Sequence, residues 1–301
     1  MTATPKRAPW KGVFTAIVTP FTESGALDEP GLRTLIKRQL DAGIHGLVPC
    51  GTTGETPALT HDEWVKVIEI AVELADGKAW VIAGTGTNNT EASASRTAKA
   101  KELGADGGLV ITPYYNKPTA DGLLRHFGHV AEVNPGFPMM VYNVPGRTAL
   151  NLSPNAYERL LEIQEIAALK EASGNLTQVW EATHRFGHLT PILSGEDGIN
   201  LPIWEVGGHG AVSVLSNVVP DLVVEQFNAH EKGDHSRAFE LHQRFAALSR
   251  SLFIETSPSP AKYVLSRLGL PSGPVRMPLA PLTNPTHVEI VENDLRKLGL
   301  L

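Results

Sequence analysis

Eight short apolar runs, each followed by a small or polar step and then by a helical pattern, constrain this chain more than any other feature. The runs are Gly12 to Val18, Ile44 to Val48, Trp80 to Ala83, Gly108 to Ile111, Pro138 to Tyr142, Ile166 to Leu169, Pro191 to Leu193 and Ala211 to Leu215. They are nearly continuous in apolar residues and do not alternate, as expected of parallel strands covered on both faces. Between them Leu32, Leu35, Ile36 and Leu40 keep helical spacing. Thr60-His61-Asp62-Glu63 reads as a capping box opening a helix that carries Val65, Ile68 and Val72. Ser153-Pro154 reads as an N-cap followed by proline at the first helical position.

About eight strand–helix units predict an α/β fold of the TIM (β/α)8 type, one domain over residues 1–301, with the barrel over about 12–219. Residues from about 220 to 301 read as further helices, a C-terminal appendage. An open doubly wound sheet would want a glycine-rich phosphate loop after an early strand, and Gly84-x-Gly86 is too weak to supply one.

Composition narrows the function. The formal net charge is -6 and no basic run is long enough to track a phosphate backbone, which speaks against nucleic acid as a partner. No apolar run has the length of a membrane span. Lys6, Arg7 and Lys11 near the start precede no apolar stretch, so a secretory leader is not expected. The single cysteine, Cys50, cannot form an internal disulfide and fits a reducing compartment, hence an expected cytoplasmic location.

In such barrels the chemistry sits at the C-terminal ends of the strands. That rule selects Thr19, Thr52, Thr53, Thr85, Tyr115, Tyr142, Arg147, Lys170 and Ser194. The set has no metal-ligand spacing and no Ser/His/Asp arrangement. Lys170 follows Ile166-Ala167-Ala168-Leu169, and burial there would favour the neutral amine that attacks a carbonyl. A lysine that snorkels to solvent or pairs with Glu171 explains the same residue types, and on those alone the two readings stand level. Tyr142 could relay protons, though a core tyrosine with a satisfied hydroxyl is the commoner case. Thr52 and Thr53 could bind a carboxylate or simply make a tight turn between Gly51 and Gly54. Arg147 could grip a carboxylate in bidentate fashion or be a solvated loop residue.

Taken in order, Gly51-Thr52-Thr53-Gly54-Glu55, Tyr114-Tyr115-Asn116, Tyr142-Asn143-Val144-Pro145-Gly146-Arg147-Thr148, Lys170-Glu171-Ala172, Ser194-Gly195-Glu196-Asp197 and Gly207-Gly208-His209-Gly210 resemble the dihydrodipicolinate synthase and N-acetylneuraminate lyase superfamily. The resemblance runs from about Gly12 to the C-terminus. It implies a class I, imine-forming lyase of lysine and diaminopimelate biosynthesis. Lys170 would carry pyruvate, and L-aspartate 4-semialdehyde would be the acceptor. Tyr142 would be the general acid and base, with Thr52 and Tyr115 completing a proton relay, Tyr115 crossing from a neighbouring subunit of a homodimer or homotetramer. Thr53 and Val212 would contact pyruvate, Gly195 would shape its pocket, and Arg147 would hold the semialdehyde carboxylate. A buried guanidinium without its carboxylate would be uncompensated, so Arg147 should disfavour sugar acids. No metal, nucleotide or bound cofactor is expected.

Two other readings stay open: a sugar-acid aldolase or dehydratase using the same imine, and a non-catalytic relative that binds a keto acid. The sequence departs from the family at Glu196, where aspartate is usual, and at Ser257, where asparagine is usual. His61, Asn88 and Tyr114 match the lysine feedback site of some members. Trp64 and Ala92 replace a histidine and a glutamate there, so weak feedback by L-lysine is expected.

Overall fold

The computed structural model describes residues 9–301. Lys6 and Arg7, used above against a secretory leader, lie outside that range. Eight strands form: β1 (Gly12–Ala16), β2 (Gly46–Val48), β3 (Trp80–Gly84), β4 (Gly107–Ile111), β5 (Met139–Asn143), β6 (Ile166–Glu171), β7 (Ile192–Ser194) and β8 (Gly210–Ser213). They join in sequence order into a closed barrel whose ladders are all parallel. With its helices and the further C-terminal helices this is the predicted (β/α)8 architecture. The strands are buried throughout except at Trp80 and Ile111, each at a strand end, which accounts for the continuous apolar runs.

Strand ends differ from the sequence reading in two places that matter. The first run is apolar through Val18, yet β1 stops at Ala16, because the Val18 N–H donates to the Asn217 Oδ1 and not to a neighbouring strand (3.1 Å). β6 runs two residues beyond its apolar part and takes in Lys170 and Glu171. Both charged residues therefore have strand geometry, with their side chains on opposite faces of the sheet.

Contacts divide the chain into two compact units. One holds Ile82–Ala211 with the described N-terminal residues through Lys11; the other holds Gly12–Val81 and Val212–Leu301. In the first unit, one side of β4 to β7 packs on helices through a cluster that includes Val110, Phe127, Met139, Val141, Tyr157 and Leu169. In the second, helix Glu29–Asp41 buries Leu32, Leu35 and Ile36 as its spacing predicts. Leu40 is only half-buried, and the polar Gln39 takes the inner position instead. Gln39 is satisfied there by the Thr15 hydroxyl (2.7 Å) and the Ser216 carbonyl (2.9 Å).

Helix His61–Ala75 starts at the predicted capping box, the Thr60 hydroxyl accepting from the Glu63 N–H and the Glu63 carboxylate from the Thr60 N–H. Its buried face is set by Trp64, Ile68, Ala71 and Ala75, while Val65 and Val72 are half-buried at its edges. After β8, helix Pro220–Glu231 packs on β1. Helices His235–Ser251, Ser259–Arg267 and Pro285–Lys297 follow.

Candidate active site

Lys170 lies at the C-terminal end of β6 and is 6% exposed. In the β5–β6 ladder it stands opposite Tyr142. Directly opposed residues share a face, and the Lys170 Nζ lies over the Tyr142 ring, 4.1 Å from its centroid. Burial brings the amine down to about 7; the carboxylate of Asp197 works against that fall and Arg147 adds to it. An ordinary lysine is neutral in only about one copy in a few thousand near pH 7, and the fall toward 7 raises that fraction by orders of magnitude. The side chain thus meets the electronic requirement for attack on a carbonyl.

The competing reading, a Lys170–Glu171 pair, fails on strand geometry. Glu171 projects from the other face, next to Asn143, its ladder partner. There its carboxylate accepts from the Asn143 amide (2.9 Å), the Gln178 amide (3.3 Å) and the Ser173 N–H (2.6 Å). Asn143 also donates to the Asn151 Oδ1 (3.0 Å) and accepts from the Leu152 N–H (2.9 Å). This buried polar brace locks the ends of β5 and β6 together one residue beyond Tyr142 and Lys170. Sequence reasoning missed it, although an asparagine and a glutamate each following a candidate residue by one position were its signal.

Gly195, just past β7, presses on the same end of the barrel. A Cβ at this position would come within 2.7 Å of the Ala172 Cβ and 3.0 Å of the Lys170 Cε. Its N–H donates to the Glu171 carbonyl (2.7 Å). The missing side chain therefore leaves the room that the Lys170 stem occupies. Asp197 is buried and accepts from the Asn200 amide (3.1 Å). Burial, and then Asp197, hold the neighbouring Glu196 above the usual carboxylate range.

Arg147 stands on the one-turn helix Pro145–Thr148 and is exposed. The discrimination argued from a buried guanidinium is therefore not met by this chain alone. Tyr115 differs more sharply from Tyr142. It is 89% exposed, and its backbone is left-handed at φ 70°, an uncommon state for a bulky residue. One chain does not bring Tyr115 together with the buried Tyr142 and Lys170. Tyr114 and Asn88 are both partly buried, and the Asn88 carbonyl accepts from the Asn116 amide (2.9 Å).

The threonine loop belongs to the other unit. Thr52 is partly exposed and Thr53 is buried. The Thr52 carbonyl accepts from the Glu55 N–H (3.1 Å), and the Gly51 carbonyl from the Gly54 N–H (3.1 Å), so the segment is a tight turn at the end of β2. The Thr19 hydroxyl is spent on the Gly54 carbonyl (2.8 Å), which makes Thr19 a support of this loop. Val212 is buried in β8. His61, also in this unit, is exposed and stacks on the buried Trp64. Elsewhere Thr85 accepts from the Thr97 hydroxyl (2.9 Å) and Ser194 donates to the Glu196 carbonyl (3.1 Å), both structural roles.

A closed parallel barrel with a buried, near-neutral lysine at a strand end defines a class: (β/α)8 proteins equipped to form an imine with a carbonyl compound. Within it, the chain belongs to the dihydrodipicolinate synthetase family, whose sequence model matches residues 9–297. It is 46% identical over 286 residues to the 4-hydroxy-tetrahydrodipicolinate synthase of Methanothrix thermoacetophila, covering 93% of this chain and 95% of the relative. It is 47% identical over 272 residues to that of Thermomicrobium roseum, covering 90% and 89%. The crystal structure of dihydrodipicolinate synthase from Aquifex aeolicus superposes with a TM-score of 0.92 at 41% identity, covering 97% of this chain and 99% of that one.

Proposed function

We infer that this chain is a lyase that condenses pyruvate with L-aspartate 4-semialdehyde to 4-hydroxy-tetrahydrodipicolinate, in lysine and diaminopimelate biosynthesis. The observation that carries the reading is Lys170: buried, near-neutral and facing Tyr142. The neutral amine adds to the keto carbon of pyruvate, and loss of water leaves an imine. Removal of a proton from the methyl carbon gives an enamine, which forms the new carbon–carbon bond to the aldehyde. The amino group of the acceptor then displaces Lys170 at the imine carbon, closing the ring and freeing the enzyme. One water leaves overall.

In this reading Tyr142 moves the protons at the amine and the carbinolamine, with Thr52 and Tyr115 as its relay. Exposure of Tyr115 in the single chain supports its service in a neighbouring copy, hence a homodimer or a homotetramer as the working unit. Thr53 and Val212 hold pyruvate, Gly195 keeps its pocket open, and Arg147 binds the carboxylate of the semialdehyde. The reading places the enzyme in the cytoplasm; among the described residues no helix is long and apolar enough to cross a membrane.

The test is turnover of pyruvate plus L-aspartate 4-semialdehyde, coupled to a downstream NAD(P)H-dependent reductase, with Lys170→Ala as control. Turnover in the wild type that vanishes in the variant is expected. No turnover from a folded oligomer that still traps pyruvate under borohydride would point to a different acceptor, such as a sugar-acid precursor. No trapping at all would leave a keto-acid binder.

A further inference from the structure

An ion pair with both side chains almost fully enclosed lies outside the chemistry assigned above. Lys262, in helix Ser259–Arg267, places its Nζ 2.6 Å from the Glu55 Oε1, and the side chains are 2% and 1% exposed. Glu55 is the last residue of Gly51-Thr52-Thr53-Gly54-Glu55. Its other oxygen accepts from the Arg276 N–H (2.8 Å). Lys262 also donates to the Pro274 carbonyl (2.8 Å) and lies 4.2 Å from the centre of the Phe21 ring. The Arg276 guanidinium covers the same ring at 4.0 Å, donates to the Ala58 carbonyl (2.9 Å) and pairs with Glu63.

A buried ion pair is weak evidence for a stabilising role, since apolar residues of similar volume often serve as well. What this pair does is local. Cys50 and Glu55 bracket the threonine loop, and both sit in the left-handed region, at φ 54° and 55°. Non-glycine residues persist there only where their surroundings over-determine them. At the Glu55 end the carboxylate bonds to Lys262 and the Arg276 N–H add to the backbone bonds of the turn. Inside the bracket Gly54 has no slack, because a Cβ there would lie 3.1 Å from the Cys50 nitrogen. The loop is thus held at Glu55 by residues more than two hundred positions later in the chain.

We propose that the Glu55–Lys262 pair, with Arg276, is a positioning device for the threonine loop, setting where Thr52 and Thr53 stand and hence the affinity for pyruvate without touching substrate. The proposal rests on the functional reading given above. The double variant Glu55→Gln/Lys262→Met removes both charges together and leaves neither stranded. Its KM for pyruvate rises about tenfold or more, as small misplacements of a binding group do, while the KM for the semialdehyde stays close to wild type. Borohydride trapping of pyruvate on Lys170 needs correspondingly more pyruvate, and the melting temperature and oligomeric state are retained.

Glu63→Gln keeps the helix cap and loosens only the outer tie to Arg276. It shifts the pyruvate KM in the same direction by less, and it serves if the double variant does not fold. An unchanged pyruvate KM in a folded double variant, or in Glu63→Gln should that be the only folded one, overturns the proposal. So does an equal rise in both KM values. A wild type that traps no pyruvate overturns the functional reading and this proposal together. A wild type that traps it beside an unaffected variant overturns the positioning role alone.

Discussion

Lys170 is costly to fold around. The unfolded chain carries its ammonium up to the ordinary lysine range, whereas the folded chain releases the proton near pH 7 because burial disfavours the charge. Between those limits the unfolded state binds more protons, so stability rises with pH across the window, and below about pH 7 the penalty is fully present. Lys170→Met, similar in length and without charge, should therefore melt at a higher temperature than wild type at pH 6. Its advantage should shrink toward pH 10. Calorimetry at the two pH values checks this, and a variant that melts lower at pH 6 would contradict the burial argument. The lysine itself was legible in the sequence as the charged residue ending an apolar run. Tyr142 stands beside it as the strand order predicts, whereas the alternative pairing with Glu171 does not form. Glu171 is adjacent in sequence, yet strand alternation turns it toward Asn143.

At the scale of elements, local signals worked where the controlling contacts are local. The capping box at Thr60 is present as spelled, and Ser153 caps the helix that Pro154 opens. Thr60→Ala should cost about 1 kcal/mol in urea unfolding. Glu63→Ala should cost more, because Glu63 also pairs with Arg276, whose hydrogen bonds hold its carboxyl at about 2. That extra contribution is present above the ordinary carboxylate range and lost as pH falls toward about 2, so the gap between the two variants should close in acid. A gap that stays open at low pH would assign the difference to the cap alone. Local signals failed where an element's inner face is decided by what meets it. Gln39 is buried in place of Leu40 because Thr15 and Ser216 offer it partners.

For the whole molecule, the proposed service of Tyr115 in a neighbouring copy and the proposed lysine-binding residues bear on how copies assemble. His61, Asn88 and Tyr114 are the residues proposed for L-lysine, but Trp64 is buried beneath His61 and Ala92 offers no carboxylate to an ammonium group. L-lysine should therefore inhibit weakly. Titration of the turnover assay with L-lysine should show no half-inhibition at submillimolar concentration, and finding it would mean that another residue supplies the missing charge.

The sequence by itself determined the barrel and singled out Lys170 as the candidate nucleophile. Parallel strands covered on both faces need continuous apolar runs, and eight such runs leave few other arrangements. The ordered motifs from Gly51 to Gly210 carried the family. Tertiary structure alone decided which groups meet. Lys262 and Arg276 reach Glu55 across separations of 207 and 221 residues, which no periodicity encodes. The near-neutral amine of Lys170 likewise follows from enclosure by residues of β5 and of the turn after β7, and enclosure is a property of the folded chain.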